Sequence, residues 1–127
     1  MKNRILYVED NEQNLYLITF ILRSKHYEVI QARSGIEGIY LASVHKPDLI
    51  LLDIQLPEMD GYEIARRLRS NGDLDAIPIV AVTSYAMVGD REKALEAGCD
   101  GYIEKPINPE TFLDQVEVFL KGRESHG

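Results

Sequence analysis

The sequence predicts an α/β fold, a (βα)5 chain whose strands form one doubly wound parallel sheet. Three observations predict it. Short β-rich runs alternate with helically spaced apolar residues from end to end. Three of those runs are almost wholly apolar instead of alternating, as parallel strands covered on both faces are. The 127 residues suit one domain with a real core and leave no room for two.

The strands are expected at Ile5 to Val8, Glu28 to Ala32, Leu49 to Leu52, Ile77 to Val82 and Gly101 to Ile103. Leu15, Ile18, Ile21 and Leu22 mark the first helix. Ile36, Ile39 and Tyr40 mark the second, opened by Ser34 with Glu37 three places on, a capping box. Ile64, Ala65 and Leu68 mark the third. The fourth, Val88 to Ala97, has a thin stripe of Val88, Ala94, Leu95 and Ala97, with Gly98 as its C-terminal cap. A thin stripe buries little area, which suits either an element that shifts cheaply or a short surface helix. Phe112, Leu113, Val116, Phe119 and Leu120 mark the last helix, with Asn108 as N-cap and Pro109 at its first position. Alternating βα units imply right-handed crossovers and helices on both faces. Five strands are too few for a closed (β/α)8 barrel. The flavodoxin-like order 2-1-3-4-5 follows, with a site where strand order reverses. The expected domain is 1–121, and 122–127 reads as a flexible C-terminal tail.

Composition excludes several classes. Hydrophobic residues are 45% and charged residues 28%, ordinary for a soluble globular chain and wrong for a disordered one. With 14 basic and 21 acidic residues the formal charge is −7, which disfavours direct nucleic-acid binding. Cys99 stands alone and has no internal disulfide partner, consistent with a reducing, cytoplasmic setting. The apolar run from Ile5 stops at Glu9 and Asp10, too soon for a signal peptide. No run approaches the roughly 18 apolar residues of a membrane span, so no membrane insertion is expected.

The carboxyl ends of the strands carry the chemistry. Strand 1 ends in Glu9 and Asp10, strand 3 in Asp53, strand 4 in Thr83 and Ser84, and strand 5 leads to Lys105 and Pro106. The strand order gathers three carboxylates, a hydroxyl and an ammonium at one rim. Such carboxylates repel and take up protons unless a cation is present. All the donors are oxygens, which suits a hard divalent ion, Mg²⁺ (or Mn²⁺). Spare coordination beside a lysine suits a phosphoryl group. Each residue also has a plain reading: Asp10 as the cap of the first helix, Thr83 as a strand-end hydroxyl, Lys105 as a solvated charge.

Together these stretches resemble the receiver domain of bacterial two-component response regulators. The matching pieces are Val8-Glu9-Asp10-Asn11, Pro47-Asp48-Leu49-Ile50-Leu51-Leu52-Asp53, Leu56-Pro57-Glu58-Met59-Asp60-Gly61, Ile79-Val80-Ala81-Val82-Thr83-Ser84 and Lys105-Pro106. The resemblance covers essentially the whole chain. It implies a phospho-acceptor switch in which Asp53 takes a phosphoryl group from a phosphohistidine. The donor would be a sensor histidine kinase or histidine phosphotransfer protein. Asp10, Asp53, the Gln55 carbonyl and Glu9, directly or through water, would hold the metal. Lys105 would pair with the phosphoryl oxygens and Thr83 would hydrogen-bond one of them. Tyr102 matches the switch aromatic, with packing against the fourth helix as its plainer reading. Lys105-Pro106 would be a cis peptide. Gln55 and Tyr85 stand where the family tunes phosphoryl lifetime.

A downstream protein target would read the switch on the helix 4–strand 5–helix 5 face, where phosphorylation-dependent dimers also form. The closest likeness is to single-domain regulators of the chemotaxis and cell-division types, with the excised receiver of a hybrid kinase as alternative. No enzyme beyond self-catalysed phosphorylation and dephosphorylation is expected. A metal-dependent phosphohydrolase would need a second acid/base near Asp53, and Ile54-Gln55-Leu56-Pro57 supplies none. A flavodoxin would need a Ser/Thr/Gly-rich phosphate loop after strand 1, where this chain has Glu9-Asp10-Asn11-Glu12. A receiver-shaped scaffold that is never phosphorylated would not need all five site residues.

Overall fold

A computed structural model describes residues 3–56, 59–83, 89–105 and 107–126, except the side chains of 123–126. Tyr85, Pro106 and the start of the fourth helix at Val88 therefore lie outside the described residues.

Five parallel strands form one sheet, β1 Arg4–Val8, β2 Glu28–Ala32, β3 Leu49–Asp53, β4 Ile79–Thr83 and β5 Gly101–Glu104. Their order is β2-β1-β3-β4-β5, as the alternating pattern predicts. The central strands β3 and β4 are buried along their whole length, which explains their unbroken apolar runs. β4 begins after Pro78, later than expected from Ile77, because proline has no N–H for the ladder.

The helices are α1 Glu12–Ser24, α2 Gly35–His45, α3 Gly61–Arg69, α4 Asp90–Glu96 and α5 Pro109–His126, with a short 3-10 turn at Gly72–Leu74. Successive strand residues point to opposite faces. Leu6, Val8, Ile50 and Leu52 pack with Ile64 and Leu68 of α3 and Ala94 of α4. Ile5, Tyr7, Leu49 and Leu51 pack with Leu15, Ile18 and Leu22 of α1 and Phe112 and Val116 of α5.

Three helix details correct the sequence expectation. The stripe Ile36, Ile39 and Tyr40 meets the core only through Ile39, which is partly buried against it, while Ile36 and Tyr40 are 66% and 63% exposed. α2 instead buries Gly35, Gly38 and Ala42. A Cβ on Gly38 would come within 2.7 Å of Val8 Cγ2, so the helix lies on the sheet through its smallest residues. In α4, Leu95 is exposed and Ala94 is the buried residue, so the apolar contact is thinner still. Finally, α5 runs to His126, through the segment expected as a tail from Gly122. One glycine costs a helix only about 1 kcal/mol.

The caps follow the sequence closely. Ser34 Oγ accepts from Glu37 N, but the Glu37 carboxylate accepts from Arg33 N, one residue off a reciprocal box. Asn108 Oδ1 accepts from Glu110 N and Thr111 N at the start of α5. Gly98 takes φ +106° just past α4.

At the amino end of the sheet, Arg69 ties four elements together. Its guanidinium donates to the Gly98 and Leu74 carbonyls at 2.8 and 3.1 Å and pairs with Asp100, whose carboxylate also accepts from Ile79 N. Arg69→Ala would orphan these acceptors and is expected to cost about 2 kcal/mol in a urea titration. Phosphoryl acceptance should survive, because the clasp lies at the far end of β4 from Thr83. An unchanged urea midpoint would contradict the clasp.

Candidate functional site

The strand register builds the rim. Val8 pairs with Leu52, so Glu9 emerges level with Asp53. Asp53 pairs with Val82, so Thr83 stands one residue further on. Thr83 pairs with Glu104, which delivers Lys105 beyond it, and Lys105 N donates to the Thr83 carbonyl at 2.7 Å.

Glu9, Asp53 and Thr83 are buried, while Asp10 is exposed. Asp10 does not cap α1. That place belongs to Asn11, whose side chain accepts from Asn14 N at 2.9 Å. Oxygens of Glu9, Asp10 and Asp53 lie within 4.8 Å of one another. Lys105 Nζ donates to Glu9 Oε1 at 2.8 Å and stands 3.9 Å from Asp53 Oδ2. Gln55 N donates to Asp53 Oδ1 at 2.9 Å, leaving Oδ2 turned toward the lysine.

Two buried carboxylates this close cannot both stay ionised at no cost. Burial, reinforced by the hydrogen bond with Glu9, pushes Asp53 up to about 7, with the Gln55 N–H and Lys105 pulling the other way. Burial also opposes the charge on Glu9, but its bonds with Asp53, Lys105 and Tyr7 outweigh it and hold the carboxyl below its ordinary value. The opposed shifts make Asp53 the easier of the two to protonate, in a place where a divalent cation would relieve the same crowding. The oxygen-only donor set and the closeness of the three acids fit Mg²⁺.

Tyr102 is half-buried on β5 and packs against the cluster that holds Ala94 of α4. Its hydroxyl is buried without a hydrogen bond of ordinary geometry among the described residues. Thr83 lies near enough to favour its ionised form slightly, against the larger opposing effect of burial. The structure therefore joins Glu9, Asp10, Asp53 and Lys105 directly, with Thr83 and Tyr102 alongside. It also adds a residue that sequence spacing did not single out. Tyr7 OH donates to Glu9 Oε1 at 2.9 Å. The available signal is a phenol in the apolar run Ile5–Val8, two places before an acid.

The chain matches the Response regulator receiver domain family over residues 5–117. It belongs to that family. The receiver is 42% identical to the polar-differentiation response regulator DivK of Brucella anthropi over 94% of this chain and 98% of that protein. The DivK of Brucella ovis is 43% identical with the same coverage. Among solved structures, a CheY-like receiver domain protein from Methanospirillum hungatei superposes with a TM-score of 0.93 at 32% identity, covering all of both chains. The receiver domain of a sensor histidine kinase from Pseudomonas aeruginosa, with a magnesium ion coordinated in its active-site cleft, superposes at 0.88 with 35% identity, covering 95% of this chain and 99% of that one. This receiver thus has the flavodoxin-like CheY fold. Its family is regulatory and receives phosphoryl groups from histidine kinases to act on downstream targets. Among the described residues no helix is long and apolar enough to cross a membrane.

Proposed function

We propose that this receiver is switched by phosphorylation of Asp53, drawn from a sensor histidine kinase or histidine phosphotransfer protein, and acts by binding a downstream protein. The observation that carries this reading is the meeting of Asp53 Oδ2 with Lys105 beside Glu9 and Asp10. Gln55 N–H holds Oδ1, which orients Oδ2 as the attacking atom. Oδ2 forms the new bond to phosphorus as the bond from phosphorus to the donor imidazole nitrogen breaks, and that electron pair returns to the ring. Glu9, Asp10, Asp53 and the Gln55 carbonyl would hold Mg²⁺ (or Mn²⁺). When bound, the ion supplies positive charge against the crowded carboxylates and the phosphoryl oxygens. Lys105 moves from Glu9 toward the phosphoryl oxygens and Thr83 hydrogen-bonds one of them.

The new group brings nearly two negative charges. Drawing Thr83 inward changes the surroundings of the nearby Tyr102 hydroxyl. α4 buries little and shifts at low cost, so the change biases two pre-existing arrangements. The readout surface is the α4–β5–α5 face, where a groove of about 410 Å³ is lined by Leu95, Tyr102, Val118 and Phe119 among others. It would also serve a phosphorylation-dependent dimer. Tyr85 and the Gln55 side chain would guard the acyl phosphate from water. The likeness to the DivK relatives, matched over 98% of their length, supports reading this receiver as a response regulator of their type.

The test is labelling by acetyl phosphate with Mg²⁺. Wild type should gain a base-labile phosphoryl group, Asp53→Ala none, and a chelator should stop the reaction. Labelling that persists in Asp53→Ala would end the reading.

A further inference from the structure

Tyr7 touches the acceptor site from below. In β1, Ile5 and Tyr7 face α1 and α5, and Glu9 continues the same alternation beyond the strand end. The phenol therefore runs along the strand toward the rim, and its hydroxyl donates to Glu9 Oε1 at 2.9 Å. Tyr7 and Glu9 are both fully buried. The same oxygen accepts from Lys105 Nζ at 2.8 Å, while the Asn11 N–H meets the other at 3.3 Å. An aliphatic side chain is the ordinary occupant of a buried parallel strand, and a buried phenol usually takes a hydrogen-bond partner. Here that partner is a carboxylate of the acceptor site.

In this structure the lysine rests on Glu9, 3.9 Å from Asp53 Oδ2 and out of hydrogen-bond range. It must leave Glu9 to reach a phosphoryl group. Without another donor, Glu9 Oε1 would then lose the side-chain hydrogen bonds described on it, which opposes the move.

We infer that Tyr7 is a positioning residue for phosphoryl acceptance: its hydroxyl keeps Glu9 seated while Lys105 transfers to the phosphoryl oxygens on Asp53. The inference rests on the reading of Asp53 as the acceptor. Phenylalanine fills the same space without the donor. Lys105 then becomes the only side-chain donor described on Oε1 and stays there.

The test uses the whole chain with Mg²⁺ and beryllofluoride, a mimic of the acyl phosphate. Tyr7→Phe should bind beryllofluoride about tenfold more weakly than wild type. In a Lys105→Ala background the same change should alter affinity less than twofold. A merely structural tyrosine would weaken both backgrounds alike, and that result would overturn the inference. The Lys105 ammonium resonance gives a second reading: at beryllofluoride levels that shift it in wild type, it should stay unshifted in Tyr7→Phe. Should the variant fail to fold, wild type still decides. The ring-carbon signal of Tyr7 must hold its position while Lys105 shifts, and a joint shift would sink the idea. Wild type that takes no beryllofluoride would remove the acceptor reading itself. Wild-type binding with an unaltered Tyr7→Phe removes this inference alone.

Discussion

Without divalent cation, Asp53→Asn is expected to be more stable than wild type at pH 8, by roughly 1–3 kcal/mol, to keep only part of that advantage near pH 5 and to lose it below about pH 4. The sign follows from where the proton sits. Asp53 has an ordinary value of 3.8 and is raised to about 7 in the fold, chiefly by burial. Between those values the folded state binds more protons than the unfolded one. Wild-type stability therefore falls as the pH rises through that window, and the full penalty applies above about 7. Asparagine keeps the shape and carries no charge, so it escapes the penalty. Below about pH 4 the wild-type carboxyl is protonated in the folded state and largely so in the unfolded chain, so it resembles the amide and the penalty vanishes. Saturating Mg²⁺ should reverse the order, because wild type gains about 2.7 kcal/mol at one hundred times the dissociation constant, while the variant lacks a ligand. Urea titrations at both pH values, with and without Mg²⁺, check this. A metal-free Asp53→Asn less stable than wild type at pH 8 would contradict it.

Gly61→Ala is expected to lose 2–3 kcal/mol or more, and to slow phosphoryl acceptance at least tenfold. Gly61 opens α3, with Asp60 as N-cap accepting from Glu63 N, and its own N–H donates to the Ile54 carbonyl at 3.0 Å. A Cβ here would lie 2.5 Å from Ile54 Cα and 2.9 Å from the Asp53 carbonyl. Both are backbone atoms and cannot rotate away. The displacement would fall on the peptide that orients the acceptor and on Gln55 N, which holds its Oδ1. Gly72→Ala is the control, since its Cβ would meet only Asp75 Oδ2, at 3.8 Å, and it should be nearly neutral. The two effects are read from denaturant midpoints and acetyl phosphate labelling rates. A well-folded Gly61→Ala with wild-type kinetics would show that α3 can back away from the loop after Asp53.

How much of this was legible beforehand varied with the kind of contact. The buried runs Leu49–Asp53 and Ile79–Thr83 showed as apolar blocks because a central parallel strand has no solvent face. Asp53 and Thr83 stood out because each ends such a block. The face of α2 is not legible from hydropathy, which weights Ile36 and Tyr40 above Gly38, while a close helix–sheet approach selects for small size. Asp10 was ambiguous between cap and ligand until Asn11 took the cap. The helical continuation past Gly122 was hidden because a single glycine looks like a stop.

By itself the sequence determined the strand count, the order 2-1-3-4-5 and the convergence of Glu9, Asp10, Asp53, Thr83 and Lys105, because periodicity and right-handed crossover are local or topological rules. Only the tertiary structure decided that Lys105 rests on Glu9 instead of Asp53, that Asp53 is raised while Glu9 is held down, and that Tyr7 holds Glu9 from beneath. Those depend on distances of a few ångströms between residues far apart in the chain or two apart on one face of a strand, where burial turns small differences in hydrogen bonding into differences in charge.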